Sequence, residues 1–210
     1  MEEQYRQDPS SLVKVVLFGP ESTGKTTLSE QLARYYSTLW VPEYARQYLQ
    51  DKWNEERKTC EPQDLLPIAQ GQIFLENKLS KKADRLLICD TDLLETKVYS
   101  EAYYLGYCDP ILERNALLNT YDLYFLTNID IPWEADDLRD KPLEREKMFA
   151  YFKDTLEKYQ RPYVLLSGGK KERLAQAVSE IDRLLAQKKI SLFFDEVDVS
   201  LTRLKGVPKG

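Results

Sequence analysis

Residues Gly19, Pro20, Glu21, Ser22, Thr23, Gly24, Lys25 and Thr26 satisfy the spacing GxxxxGK[ST] at each fixed position. The chemistry of that spacing is anion binding. Glycines at both ends let the backbone turn tightly and approach phosphate oxygens. Backbone N–H groups at the start of a helix then point at the anion, where the helix dipole favours negative charge. Lys25 carries a compact charge on a flexible stem to the β- and γ-phosphates, and the Thr26 hydroxyl suits a magnesium ion. The pattern predicts that residues 19–27, Thr27 included, cradle the phosphates of ATP bound with Mg2+.

Such a site needs a carboxylate for the metal. Asp90 closes the apolar run Leu86-Leu87-Ile88-Cys89, and a strand ending in Asp holds magnesium directly or through water. Asp90 could instead cap the next helix, and Asp92 is open to both readings. Glu43 follows the short run ending Val41-Pro42. Ligands of open α/β sheets sit beyond the carboxyl ends of the strands, so Glu43 is a candidate to hold an acceptor hydroxyl and take its proton. Arg46 falls on the first turn of the next helix, close to Glu43; a solvated helix start is the alternative for both. Residues 130–145 are polar and carry Trp133, Arg139 and Arg145. Kinases of small molecules close an arginine-bearing lid at this place, excluding water and stabilising charge on the transferring group. An ordinary charged loop is the alternative, although Trp133 needs a surface to pack on.

These side chains converge only if the elements carrying them share one sheet. Apolar runs at residues 12–19, 39–42, 85–90, 121–127 and 163–167 alternate with helical patterns at 24–36, 44–56, 62–82, 94–105, 111–119, 145–159 and 171–188. Five short strands separated by helices predict an α/β fold with a parallel sheet covered on both faces and right-handed crossovers. The expected organisation is an extension over 1–11, a phosphate-binding domain over 12–189 and a tail over 190–210. In that tail residues 190–194 read as strand-like.

Composition removes other classes. The chain of 210 residues has no histidine, which excludes Ser-His-Asp and Cys-His nucleophiles, His-ligated zinc and HxGH nucleotidyl transfer. A net charge of −5 without a clustered basic face argues against nucleic acid. No run of 18 apolar residues exists to span a membrane, and the acidic start lacks a secretory h-region. Cys60, Cys89 and Cys108 form neither a disulfide framework nor a zinc pattern; a reducing cytoplasm is the expected location. Homo-oligomerisation is left open.

The segments GPESTGKTTL, PEYARQYL, Ile68-Ala69-Gln70-Gly71-Gln72, CDTDLLETKVY and YDLYFLTNIDIPWEADDLRD occur in that order. Together they resemble the ribosylnicotinamide kinase domain of NadR-type proteins, over roughly residues 13–169. The resemblance implies a P-loop fold of the nucleoside and nucleotide kinase type and transfer of the ATP γ-phosphate to the 5′-hydroxyl of nicotinamide riboside in NAD salvage. Carried over residue by residue, residues 19–26 bind the ATP phosphates and Asp90 is the metal or acceptor carboxylate. Glu43, Arg46 and Asp92 line the acceptor side. Arg139 is the lid arginine, with Arg145 a second candidate. Tyr44, Tyr99 and Trp133 pack against the nicotinamide or the ribose. Either Glu43 or Asp90 serves as base. The sequence departs from that family in lacking an adenylyltransferase segment ahead of the first strand, which implies a stand-alone kinase module. It also has Ala135-Asp136-Asp137-Leu138 where some members carry a glycine. Two other functions stay open beside this one: a kinase for a different nucleoside or small metabolite, and a nucleotide-sensing regulatory ATPase.

Overall fold

Each apolar run is too short to pair with itself and is followed by a helix long enough to return to the same end of the sheet, so the strands align in parallel. The structure, a computed structural model, describes residues 2–134 and 144–205, with 191–205 described by backbone only. The strands are β1 (Val13–Phe18), β2 (Leu39–Val41), β3 (Leu86–Asp90), β4 (Leu123–Thr127) and β5 (Tyr163–Leu166). They form one parallel sheet in the order β2-β3-β1-β4-β5. The helices are α1 (Lys25–Tyr36), α2 (Tyr44–Glu56), α3 (Leu65–Ser80), α4 (Leu93–Tyr103), α5 (Pro110–Leu118), α6 (Arg145–Lys158) and α7 (Lys170–Lys205). The architecture is a P-loop fold of the nucleoside and nucleotide kinase type.

Alternation along β1 assigns its two faces. Val13, Val15 and Leu17 pack with Leu28, Leu32, Ile88, Phe125 and Ile181 under α1 and α7. Val16 and Phe18 pack with Ala69, Leu94, Leu112 and Phe152 under α3 to α6. Both faces are apolar because helices cover both. The exception is Lys14, whose ammonium meets Glu76 at 2.9 Å at the foot of the sheet, where the Tyr121 hydroxyl donates to the same carboxylate at 2.7 Å.

Register then positions the site. Leu17 pairs with Asp90, Phe18 with Leu126, and Val41 with Cys89, so the carboxyl ends of β1, β2, β3 and β4 open on one side. Residues 62–82 are not a single helix: a 3-10 turn at Pro62–Asp64 precedes α3, with Asp64 and Glu61 completing a capping box. The tail departs further from expectation. Residues 190–194 are helical, continuing α7 to Lys205. A growing helix gains one hydrogen bond per added residue, which outweighs the β-propensity of Phe193 and Phe194. Among the described residues no helix is long and apolar enough to cross a membrane.

Candidate functional site

β1 ends at Phe18 and the chain turns at Gly19 with φ 143°. A Cβ there would lie 2.6 Å from Thr127 Oγ1, so close passage over β4 demands glycine. The Thr23 and Thr127 hydroxyls lie 2.7 Å apart, and the Thr23 hydroxyl also reaches the Pro20 carbonyl at 2.7 Å. From the far side Arg173, on the first turn of α7, donates to the Thr23 carbonyl at 2.7 Å. The loop is thereby held in shape by its own side chains and by two distant elements.

Lys25 begins α1 and is buried. Its ammonium donates to the Gly19 carbonyl at 2.6 Å and the Pro20 carbonyl at 3.0 Å, and pairs with Glu95 at 3.1 Å. Burial works against its charge, but the carboxylates of Glu95, Glu43 and Asp90 outweigh it and raise its pKa above the ordinary lysine value. One cation thus faces three carboxylates in a desolvated place. Burial pushes the Glu95 carboxyl well above the usual range; Glu43 and Asp90 add to this and Lys25 opposes it. Asp90 is raised to about 7 by burial and then by Glu43, with Thr26 and Lys25 opposing. Thr26 lies near enough to favour the charged form, although neither Asp90 oxygen makes a hydrogen bond of regular geometry.

Two orphaned, buried carboxylate oxygens beside a threonine hydroxyl fit a hard, oxygen-seeking cation such as Mg2+. Among the described residues no cluster of three or more His, Cys, Asp or Glu could hold a metal by itself. An ion held by Thr26 and Asp90 would therefore complete its shell with phosphate oxygens and water, as magnesium commonly does.

A cavity of about 590 Å3 runs from the phosphate loop into a compartment between α2, α3 and α4. Of the residues singled out in the sequence, Glu21, Ser22, Thr23, Gly24, Lys25, Thr26, Thr27, Glu43, Arg46 and Tyr99 line it. Gly19 and Pro20 serve through the carbonyls that hold Lys25. Asp90 is fully buried and is not among the residues that line the cavity. Arg139 lies outside the described residues.

Four expected acceptor-side residues are placed elsewhere. Asp92 is the N-cap of α4: its carboxylate accepts the Glu95 N–H at 3.0 Å and the Tyr124 hydroxyl at 2.8 Å. Burial raises its pKa to about 7, opposed by those two hydrogen bonds. An extended residue followed by a helix start turns its side chain back onto the helix end rather than outward. Tyr44 lays its ring on Gly71 of α3, where a Cβ would lie 2.2 Å from it, and its N–H donates to Gln72 Oε1 at 2.8 Å. Trp133 lies under the Arg145 guanidinium at 5.7 Å. Arg145 itself donates to the Ile131 carbonyl at 3.0 Å and the Ser22 carbonyl at 3.4 Å, fastening the start of the 130–145 stretch to the phosphate loop.

Two residues escaped the sequence reading. Glu95 lines the cavity beside Lys25, and its only local signal was the capping-box spacing Asp92-Leu93-Leu94-Glu95. Arg173 carried no local signal at all.

The family model described as AAA domain matches residues 14–173. The trifunctional NAD biosynthesis/regulator protein NadR of Salmonella typhimurium is 32% identical over 127 residues, 60% of this chain. The chain spans only 30% of that relative's length. Among solved structures, a NadR protein in complex with NR superposes with a TM-score of 0.68 at 21% identity, covering 82% of this chain and 50% of that one. Deoxyadenosine kinase from M. mycoides superposes with a TM-score of 0.61 at 14% identity, covering 81% of this chain and all of that one.

Proposed function

The chain belongs to the AAA-domain family, and from that premise we propose that it is an ATP-dependent kinase that phosphorylates the 5′-hydroxyl of nicotinamide riboside to nicotinamide mononucleotide. The observation that carries the reading is the continuity of one cavity from the Lys25 phosphate loop to a compartment lined by Glu43, Arg46, Tyr99 and Tyr103. A site for ATP hydrolysis alone has no use for that second, aromatic and acidic compartment. The similarity to NadR, one structure of which is in complex with NR, supports the acceptor named.

In this reading the phosphate loop N–H groups and Lys25 hold the triphosphate, and Thr26 with Asp90 would hold a magnesium ion, which would supply charge neutralisation. Glu43 lines the cavity whereas Asp90 is fully buried and is assigned to the metal, so Glu43 receives the acceptor hydroxyl. Its carboxylate orients the oxygen toward the γ-phosphorus and takes its proton as the new P–O bond forms and the β–γ bridge breaks to release ADP. Arg145 donates to the Ser22 carbonyl of the loop, and the family resemblance assigns Arg139 as the lid cation. Most of the acceleration comes from positioning and electrostatics, as a loose phosphoryl transition state requires.

The test is ADP release from MgATP with the purified protein, with and without nicotinamide riboside, beside adenosine, uridine, thymidine and pantothenate. Stimulation by nicotinamide riboside alone is the expected result. Stimulation by another acceptor retains the kinase and discards the substrate. ATP binding without stimulation by any acceptor favours a regulatory ATPase.

A further inference from the structure

Asp92 and Glu95 have the spacing of a capping box, in which the glutamate normally turns back to the N-cap N–H. Only the first half is made: the Glu95 N–H donates to Asp92. The Glu95 side chain turns instead to Lys25 at 3.1 Å and to the Gly19 N–H at 3.4 Å. Helix α4 thus forgoes half of its cap to set a carboxylate beside the phosphate-loop lysine.

An ammonium has three N–H donors. Two go to the Gly19 and Pro20 carbonyls, and the Glu95 carboxylate stands on the side left to the third. A triphosphate cradled by the loop needs that same donor. The pairing is one of charge: Glu95 Oε1, 3.1 Å from the Lys25 ammonium, is buried and makes no hydrogen bond of regular geometry. One turn along α4, on the same face, the Tyr99 hydroxyl is buried without a hydrogen-bond partner among the described residues. Both residues line the cavity. Orphaned buried polar groups are rare in folded proteins because each costs free energy. A carboxyl oxygen and a phenolic hydroxyl, side by side on a cavity wall, suit a ligand hydroxyl that gives one hydrogen bond and takes another.

We propose that Glu95 and the triphosphate exchange Lys25, and that the carboxylate so released holds, with Tyr99, a sugar hydroxyl of the acceptor. Nucleotide binding then completes the acceptor site. The second half of this rests on the kinase reading above; the first half does not.

The experiment is titration of wild type, Glu95→Gln and Tyr99→Phe with MgAMP-PNP, followed by acceptor kinetics with nicotinamide riboside. Glu95→Gln removes the competitor for Lys25 and should bind MgAMP-PNP about threefold to tenfold tighter, while its KM for the acceptor rises by a similar factor or more. Damage to the fold would weaken both ligands together, so opposite signs are diagnostic. Tyr99→Phe, which removes a hydroxyl that has no hydrogen-bond partner among the described residues, should keep its melting temperature and its MgAMP-PNP affinity and raise only the acceptor KM. Unchanged or weaker MgAMP-PNP binding by Glu95→Gln overturns the exchange. An unchanged acceptor KM in both variants overturns the hydroxyl contact. The MgAMP-PNP arm contains no acceptor, so it decides the exchange even if wild type fails to turn over nicotinamide riboside, a result that sinks the kinase reading instead.

Discussion

The Arg173 guanidinium holds the phosphate loop from 150 positions away, donating to the Thr23 carbonyl at 2.7 Å. The same side chain donates to the carbonyls of Gly168 and Asn128, each at 2.9 Å, and pairs with Asp130. A planar group with five donors thereby joins the loop after β1 to the segments that follow β4 and β5.

Arg173→Ala should therefore lower stability by about 2–4 kcal/mol, because it strands three carbonyls and one carboxylate. Urea unfolding measures this. Arg173→Lys should recover only part of the loss, since an ammonium lacks the fork geometry. MgAMP-PNP affinity should fall in both variants as the loop loosens.

Lys25→Met should reduce turnover at least ~100-fold, the scale of losing a preorganised charge at the transferring group. The far-UV circular dichroism spectrum should be unchanged. Turnover within about tenfold of wild type would displace Lys25 from the phosphate site.

Asp92 imposes a pH dependence whose sign follows from burial. Its pKa in the fold is about 7, above the carboxylate value of an unfolded chain, so between roughly pH 4 and pH 7 the folded state binds the extra proton. Stability at this site is thus present at low pH and is lost as pH rises through that window. Asp92→Asn keeps an acceptor for the Glu95 N–H and removes the buried charge. Urea unfolding at about pH 5 and pH 8 should show a smaller loss on raising pH in the variant than in wild type. An equal loss in both would remove Asp92 as the source.

Gly71→Ala tests the packing that carries Glu43. The added Cβ would collide with the Tyr44 ring, which cannot yield without moving the start of α2. Since Glu43 is the N-cap of that helix and Arg46 lies on its first turn, the KM for the acceptor should rise several-fold while the KM for ATP stays within about twofold. A change confined to ATP would place the acceptor elsewhere.

The phosphate loop and the fold class were legible in the sequence because their determinants are local. Glycine spacing shapes a loop within eight residues, and strand alternation or helical spacing declares which faces meet a core. The positions of β1 to β5 followed from apolar runs alone, to within two residues at each end. Glu43 was likewise readable from its place at the end of β2. Local signals misled where a neighbour in space decided the outcome. Phe193 and Phe194 read as strand, yet they extend a helix already under way. Asp92 was open to a metal or a capping reading from the sequence, and the structure makes it the cap, with Tyr124, 32 positions on, also donating to its carboxylate.

The sequence by itself determined which chemistry is available: one phosphate-loop lysine, carboxylates and arginines, and no histidine. Only the tertiary structure decided which carboxylates stand around Lys25. The parallel register of β1 with β3 brings Asp90 level with Leu17, and the cap of α4 by Asp92 places Glu95 opposite an ammonium 70 positions earlier. No local pattern encodes such a meeting, because the energy that enforces it is spread over the packed faces of the whole sheet.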